Sequence, residues 1–206
     1  MICCRFGVRQ AFPDPTSGVD VQDVESIRYI ELVVGHPVMA LKSTSSPIQI
    51  GFSVAESGAN TFTQGRVDLQ LNPLDQEVFV VTAINMDVSP PDALAATNTF
   101  TTASLTVDSR TALGNLADAN TLSVGQLSIM AAGFVDGGVG FQQQSLETPP
   151  AMLEYIGIIA TNDFFIQVQG TGNGLAKGVS GKVFGYRARA DAATYAALVQ
   201  SEVLSA

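Results

Sequence analysis

Three stretches of this chain alternate apolar and polar side chains with a period of two, and that pattern limits the fold more than any other feature. In Ile48-Gln49-Ile50-Gly51-Phe52-Ser53-Val54 the even positions are apolar, in Arg66-Val67-Asp68-Leu69-Gln70-Leu71-Asn72 the odd ones are, and in Ile84-Asn85-Met86-Asp87-Val88 the even ones return. Successive side chains of a strand point to opposite faces, so each stretch reads as a strand with one buried and one wet face. Less regular runs rich in Val, Ile, Thr and Phe at 27–34, 78–83, 100–107 and 126–134 favour the same pleated surface. The clearest hairpin joins 154–161 to 164–169 through Asn162-Asp163, a pair that tolerates the positive φ of a tight reversal, with Phe164, Ile166 and Val168 facing the core. A Gly-rich turn over 170–178 leads into a last strand over 179–189, for about nine or ten strands in all. Turn signals at Ser57-Gly58, Asn72-Pro73, Ser89-Pro90-Pro91, Gly137-Gly138 and Thr148-Pro149-Pro150 separate them. Strands punctuated this evenly, with no interleaved helices, predict an all-β antiparallel sandwich or barrel.

One helix closes the chain. Asp191 suits its N-cap, and Tyr195, Leu198, Val199 and Val203 form an apolar stripe ending near Leu204. A helix so patterned lies on something, either its own sandwich or a neighbouring subunit. Residues 1–26 and 108–125 lack sustained periodicity and read as an N-terminal arm and a long loop, the kind of excursion by which shell subunits grip each other. The expected organisation is therefore an arm over 1–26, a β-sandwich over 27–190 and a helix over 191–206, with no internal repeat.

Charge then narrows the function. Only 14% of the 206 residues are charged and the mean hydropathy is +0.26, whereas a soluble domain usually carries about 25% charged residues. Such a chain either wears a surface of Ser, Thr, Asn and Gln or hides surface against partners. The longest strongly apolar run, 127–135, is far short of the roughly 20 residues a membrane helix needs. The N-terminus lacks the long apolar core of a secretory signal, which points to synthesis in the cytoplasm. A net charge of −9 argues against a surface built to track phosphates, so no specific nucleic-acid recognition is expected. Contact with nucleic acid or an internal membrane would fall to the N-terminal arm, where Arg5 and Arg9 precede the first acid, Asp14, although a frayed end is the simpler reading of this stretch. Cys3 and Cys4 are adjacent and alone, which gives neither a disulfide framework nor a set of metal ligands.

Catalytic chemistry is hard to place. His36, the only histidine, sits in Gly35-His36-Pro37, a loop context without a nucleophile motif, and no Gly-x-Ser-x-Gly elbow occurs. The stretch Gly170 to Gly178 superficially looks like a phosphate loop but lacks the Gly-Lys-Ser/Thr ending and a following helix, so it reads as a flexible hairpin. Asp20, Asp23 and Glu25 offer hard oxygen ligands for a calcium ion between subunits, yet without an EF-hand loop pattern they read rather as a solvated acidic stretch. Without tryptophan, a sugar-stacking platform would fall to Tyr29, Tyr155, Tyr186 or Tyr195, the last three in strands and in the helix stripe. The reading is a non-enzyme with no cofactor and no metal.

An N-terminal arm, eight or more short alternating strands, a long mid-chain loop, low charge, a neutral polar surface and the terminal strand and helix Gly185-Tyr186-Arg187-Ala188-Arg189-Ala190-Asp191-Ala192-Ala193-Thr194-Tyr195 occur together here. In this the chain resembles the jelly-roll capsid proteins of tailless icosahedral viruses, over most of its length and at the level of architecture. The resemblance implies a single jelly roll that tiles a shell in the virion, with copies of itself and other virion proteins as partners. Candidate interface residues are Arg5 and Arg9 on the arm and Tyr195, Leu198 and Val199 on the helix, with Arg187 and Arg189 available for carboxylates on neighbours. The alternatives are a decoration or fibre protein on a viral particle or cell surface, and a glycan-binding β-sandwich module.

Overall fold

The computed structural model describes residues 41–132, 141–144 and 154–204. Among them run strands β1 (Lys42–Ser43), β2 (Ile48–Ala55), β3 (Thr63–Asp68), β4 (Glu77–Val88), β5 (Thr99–Thr106), β6 (Thr121–Met130), β7 (Phe141–Gln144), β8 (Gly157–Ile159), β9 (Asp163–Thr171) and β10 (Gly178–Arg189), then helix α1 (Ala192–Leu204). The first sheet has β4 on one side of β10, with β8 beyond it, and both β1 and β2 on the other side. The second sheet runs β3-β9-β5-β6-β7. Setting β1 and β7 aside, β2 pairs β10, β3 pairs β9, β4 pairs β8 and β5 pairs β6, all antiparallel, as in one long nested hairpin. The additional pairings β10–β4 and β5–β9 roll that hairpin into two facing sheets, which is the jelly roll. The expected all-β sandwich with a short C-terminal helix is the observed architecture; the expected strand at 27–34 and the turns at 137–138 and 148–150 lie outside the described residues.

The core between the sheets is built by the alternation read from the sequence. Phe52, Val88, Leu105, Phe164, Ile166, Val168 and Val183 are buried there, with Ile50, Val54, Ile84 and Met86 packed against them. Phe52 and Phe164 meet edge to face at 6.4 Å between ring centroids, a preferred aromatic geometry. Two core rings of the first sheet, Phe52 and Phe79, need a bare backbone opposite. A Cβ on Gly181 would lie 2.6 Å from Phe52 Cζ, and one on Gly185 would lie 2.8 Å from the Phe79 ring.

The runs at 78–83 and 84–88 belong to one strand, β4, and the break in their phase has a structural cause. The register with β10 slips between Phe184/Ala83 and Gly185/Val81, so Thr82 is the extra residue of a β-bulge. Before the bulge Phe79 and Val81 face the core, and after it Ile84, Met86 and Val88 do. Upstream of the bulge the strand is apolar on both faces, because Val78 and Val80 form a second cluster with Ala160, Ala188 and Ala190 on the outside of the sheet.

Helix α1 covers that second cluster with Tyr195, Leu198 and Val199. It starts where expected: Thr194 donates its N–H to Asp191 Oδ1 at 2.7 Å, which satisfies one of the unpaired donors of the first turn. Val203 departs from the predicted stripe and is 62% exposed, while Glu202, on the same face as Leu198 and Val199, is buried. The reason is a pair of backbone donors: Ala160 N–H and Thr161 N–H reach Glu202 Oε1 and Oε2, each at 2.8 Å.

Two connections differ from expectation. Asn162-Asp163 does not close a hairpin, since β8 lies in the first sheet and β9 in the second. Asn162 instead turns a corner: its carbonyl accepts Leu69 N–H at 2.8 Å and its Oδ1 accepts Leu71 N–H at 2.5 Å, tying β8–β9 to the segment after β3. The Gly-rich turn after β9 likewise crosses between sheets to β10.

Candidate assembly surfaces

The connections gather at two ends. At one end β2–β3, β4–β5 and β9–β10 are interlocked by polar side chains. Glu56, almost wholly buried, accepts Gly170 N–H at 2.6 Å and Lys177 N–H at 2.7 Å. Asn173, also buried, donates Nδ2–H to the Phe100 carbonyl at 2.7 Å, accepts Asp92 N–H at 2.9 Å, and exchanges backbone hydrogen bonds with the Asn60 side chain. Asp92 accepts from Gly174 N–H, Leu175 N–H and, at 2.6 Å, Lys177 Nζ. The Lys177 ammonium is the main cause that holds the Asp92 carboxyl below its ordinary range, and burial opposes it. The 170–178 stretch therefore cannot cradle a phosphate: the N–H groups of Gly170, Gly174, Leu175 and Lys177 are spent on carboxylates of the same chain. Gly172, at φ +72°, supplies the left-handed residue this crossing needs. Leu94 and Leu175 project from this end, 41% and 69% exposed.

At the other end lie β3–β4, β5–β6, β8–β9 and the last turn of α1. The long loop expected over 108–125 ends earlier, because β6 begins at Thr121. It folds back on its own second sheet. Across that sheet's outer face Ser104 donates to Gln167 Oε1 at 2.8 Å, while Gln167 Nε2 donates to Thr106 Oγ1 at 2.7 Å and to Gln64 Oε1 at 3.1 Å. The loop caps this row: Gly114 N–H reaches Ser104 Oγ and Arg110 N–H reaches Gln64 Oε1. Arg110 further pairs with Asp108 and Asp118 at 3.1 and 2.6 Å, and its guanidinium is the largest influence keeping the Asp118 carboxyl low. Asn120 Nδ2 donates to the Glu202 carbonyl, joining loop and helix. Leu74, Leu116, Val203 and Leu204 stand out from this end, 62% to 89% exposed.

Most cations of the described residues are occupied internally. Arg66 binds Asp68 and Asp163, Lys177 binds Asp92, and Arg187 donates to the Leu69 carbonyl at 2.9 Å with Glu77 3.7 Å away. Arg187 is thus committed within the chain, contrary to the expectation that it serves a neighbour. Arg189 is exposed and lines a groove of about 330 Å³ with Thr44, Asp75 and Glu77. Tyr195, Leu198 and Val199 face the chain's own first sheet, so of the two supports open to α1 its own sandwich supplies one. Tyr155 and Tyr186 pack into the same cluster, which leaves three of the four tyrosines in structural roles. Arg5, Arg9, Cys3, Cys4, Asp20, Asp23, Glu25, Tyr29 and His36 lie outside the described residues.

The chain matches no protein-family model and no curated protein. The geometry therefore carries the functional argument. Among the described residues no group of three or more His, Cys, Asp or Glu is placed to hold a metal ion, and no helix is long and apolar enough to cross a membrane. Sequence reasoning missed Glu56, Asp92, Asn173 and Gln167, whose partners lie far away along the chain. Glu202 did leave a trace: it is the one acid inside the apolar stripe of the last helix.

Proposed function

We propose that this chain is a structural subunit that assembles with copies of itself into a shell, as the jelly-roll subunits of virus capsids do. The observation that carries the reading is the location of the exposed hydrophobic side chains. Leu94 and Leu175 at one end, and Leu74, Leu116, Val203 and Leu204 at the other, stand in solvent on segments that internal hydrogen bonds hold in place. Large apolar side chains on well-anchored loops mark contact surfaces rather than loose ends. The paucity of charge supports the same reading, because the internal ion pairs remove much of what little charge the surface could have shown. On this reading the partners are further copies and other virion proteins, and the chain reaches the virion after synthesis in the host cytoplasm.

A decoration or fibre protein on a larger particle would use the same exposed leucines and is the second reading. The glycan-binding reading loses ground, since Tyr155, Tyr186 and Tyr195 pack beneath or within α1. Size-exclusion chromatography with light scattering at micromolar concentration, followed by electron microscopy, tests the proposal. Rings or closed shells are expected; a stable monomer would overturn it, and fibres would favour the second reading.

A further inference from the structure

Helix α1 covers only part of the outer face of the first sheet. Beyond it the register of β2, β10 and β4 lays out three rows: Ser53, Ser180 and Asp87; Gly51, Lys182 and Asn85; Gln49, Phe184 and Ala83. Every one of these residues is exposed except Phe184, which is half-buried. Most side chains here are small, and between Gly51, Ser53, Asn85, Asp87, Ser180 and Lys182 they leave an open groove of about 600 Å³. Two charges stand on it, Asp87 and Lys182, one row apart on neighbouring strands. Among the described residues neither side chain has an ion-pair or hydrogen-bond partner, whereas those of Arg66, Arg110, Lys177 and Arg187 are all matched within the chain.

We infer that this uncovered half-face is where two copies of the chain pack together about a two-fold axis, with Lys182 of each copy on Asp87 of the other. The inference rests on the reading that the chain self-assembles and adds a contact surface distinct from the two ends. A two-fold contact joins a patch to itself, so the patch must be complementary to its own rotated image. One acid and one base set diagonally meet that condition: rotation about the point between them superposes each on its opposite. Small residues also suit the close approach of packed sheets, about 10 Å apart. Phe184, at the border with the helix-covered half, adds an aromatic side chain that is left half-exposed in the single chain.

The test is a charge exchange on the full chain, read by light scattering and sedimentation at micromolar concentration, with circular dichroism and thermal midpoints confirming that each variant folds. Asp87→Lys and Lys182→Asp each place like charges opposite one another twice per contact, and each is expected to weaken association roughly a hundredfold or more. Mixing the two variants restores opposite charges at both positions, so the mixture should associate where neither does alone. Lys182→Gln, which removes the charge without reversing it, should fall between. Variants that associate as the unaltered chain does, or a mixture that stays monomeric, would overturn this surface while leaving assembly itself intact. An unaltered chain that remains monomeric and forms no particles would overturn both.

Discussion

Gly181 and Gly51 lie close together in the first sheet, yet a methyl group should have opposite consequences at the two positions. At Gly181 the new Cβ would sit 2.6 Å from Phe52 Cζ and collide with the Asn85 carbonyl oxygen. A side chain can swing away from such a clash, but a backbone carbonyl in the middle of a ladder cannot, so β10 and β4 must part locally and Phe52 must also leave its edge contact with Phe164. Overpacking a core costs about 1–3 kcal/mol and a lost aromatic pair about 0.5–1.5. The reduced freedom of the unfolded chain returns about 0.4–1 kcal/mol, leaving a net loss of about 2–3 kcal/mol for Gly181→Ala. At Gly51 the nearest atom to the new Cβ is 3.9 Å away, an ordinary contact. Gly51→Ala should therefore be neutral or gain up to about 1 kcal/mol. Urea unfolding, at a concentration low enough that the midpoint does not depend on it, measures both. Thermal scans should drop by about 5–12 °C for Gly181→Ala and hold or rise slightly for Gly51→Ala. Equal shifts for the two variants would refute the argument that close approach, rather than strand propensity, selects glycine here.

Three further outcomes follow from the polar anchors. Asn173→Ala strips partners from the Asp92 N–H and the Phe100 carbonyl; it should cost about 2–4 kcal/mol and speed amide exchange at Gly174 and Leu175, measured by mass spectrometry. Glu202→Ala leaves the N–H groups of Ala160 and Thr161 unpaired and should cost about 2–4 kcal/mol in urea. Burial, the dominant cause, raises the Glu202 carboxyl above its ordinary range. Its unfolded form therefore ionises first, and stability relative to Glu202→Gln should fall as pH rises from the unfolded value toward the folded one, then level off; a flat difference across pH 4–7 would contradict this. Asp92 and Asp118 are lowered, chiefly by Lys177 and Arg110, so their contribution is fully present at neutral pH and should vanish only as pH falls below about 4; for Asp92 this is visible as protection of the Gly174 and Leu175 amides, corrected for the intrinsic slowing of exchange in acid, that is lost at low pH in the unaltered chain and does not change with pH in Asp92→Asn.

The sequence disclosed the strands because burial on one face writes itself directly into period-two alternation, as at Ile50, Phe52 and Val54 or at Ile84, Met86 and Val88. The same logic hid the continuity of β4. The bulge at Thr82 shifts the phase, and α1 makes Val78 and Val80 as buried as Phe79 and Val81, so one strand looks like two. Sheet membership was illegible, because Asn162-Asp163 makes the same local turn whether the next strand pairs with the last or crosses to the other sheet. The anchors were hidden for a related reason: Glu56 meets Gly170 and Lys177, and Gln64 meets Gln167, only after the chain has rolled up. The same holds for the proposed contact surface, where Asp87 and Lys182 come side by side through the register of β4 with β10.

The nested pairing also governs timing. The central strand of the first sheet, β10, is the latest of the described strands along the chain, and it must find β2, the earliest of its long partners, across the body of the fold. Non-local pairing of this kind is slow and cannot start before β10 itself has been made. A product cut short before β10 would therefore lack both the strand that lies opposite Phe52 and the residue Lys182, on which the proposed contact depends.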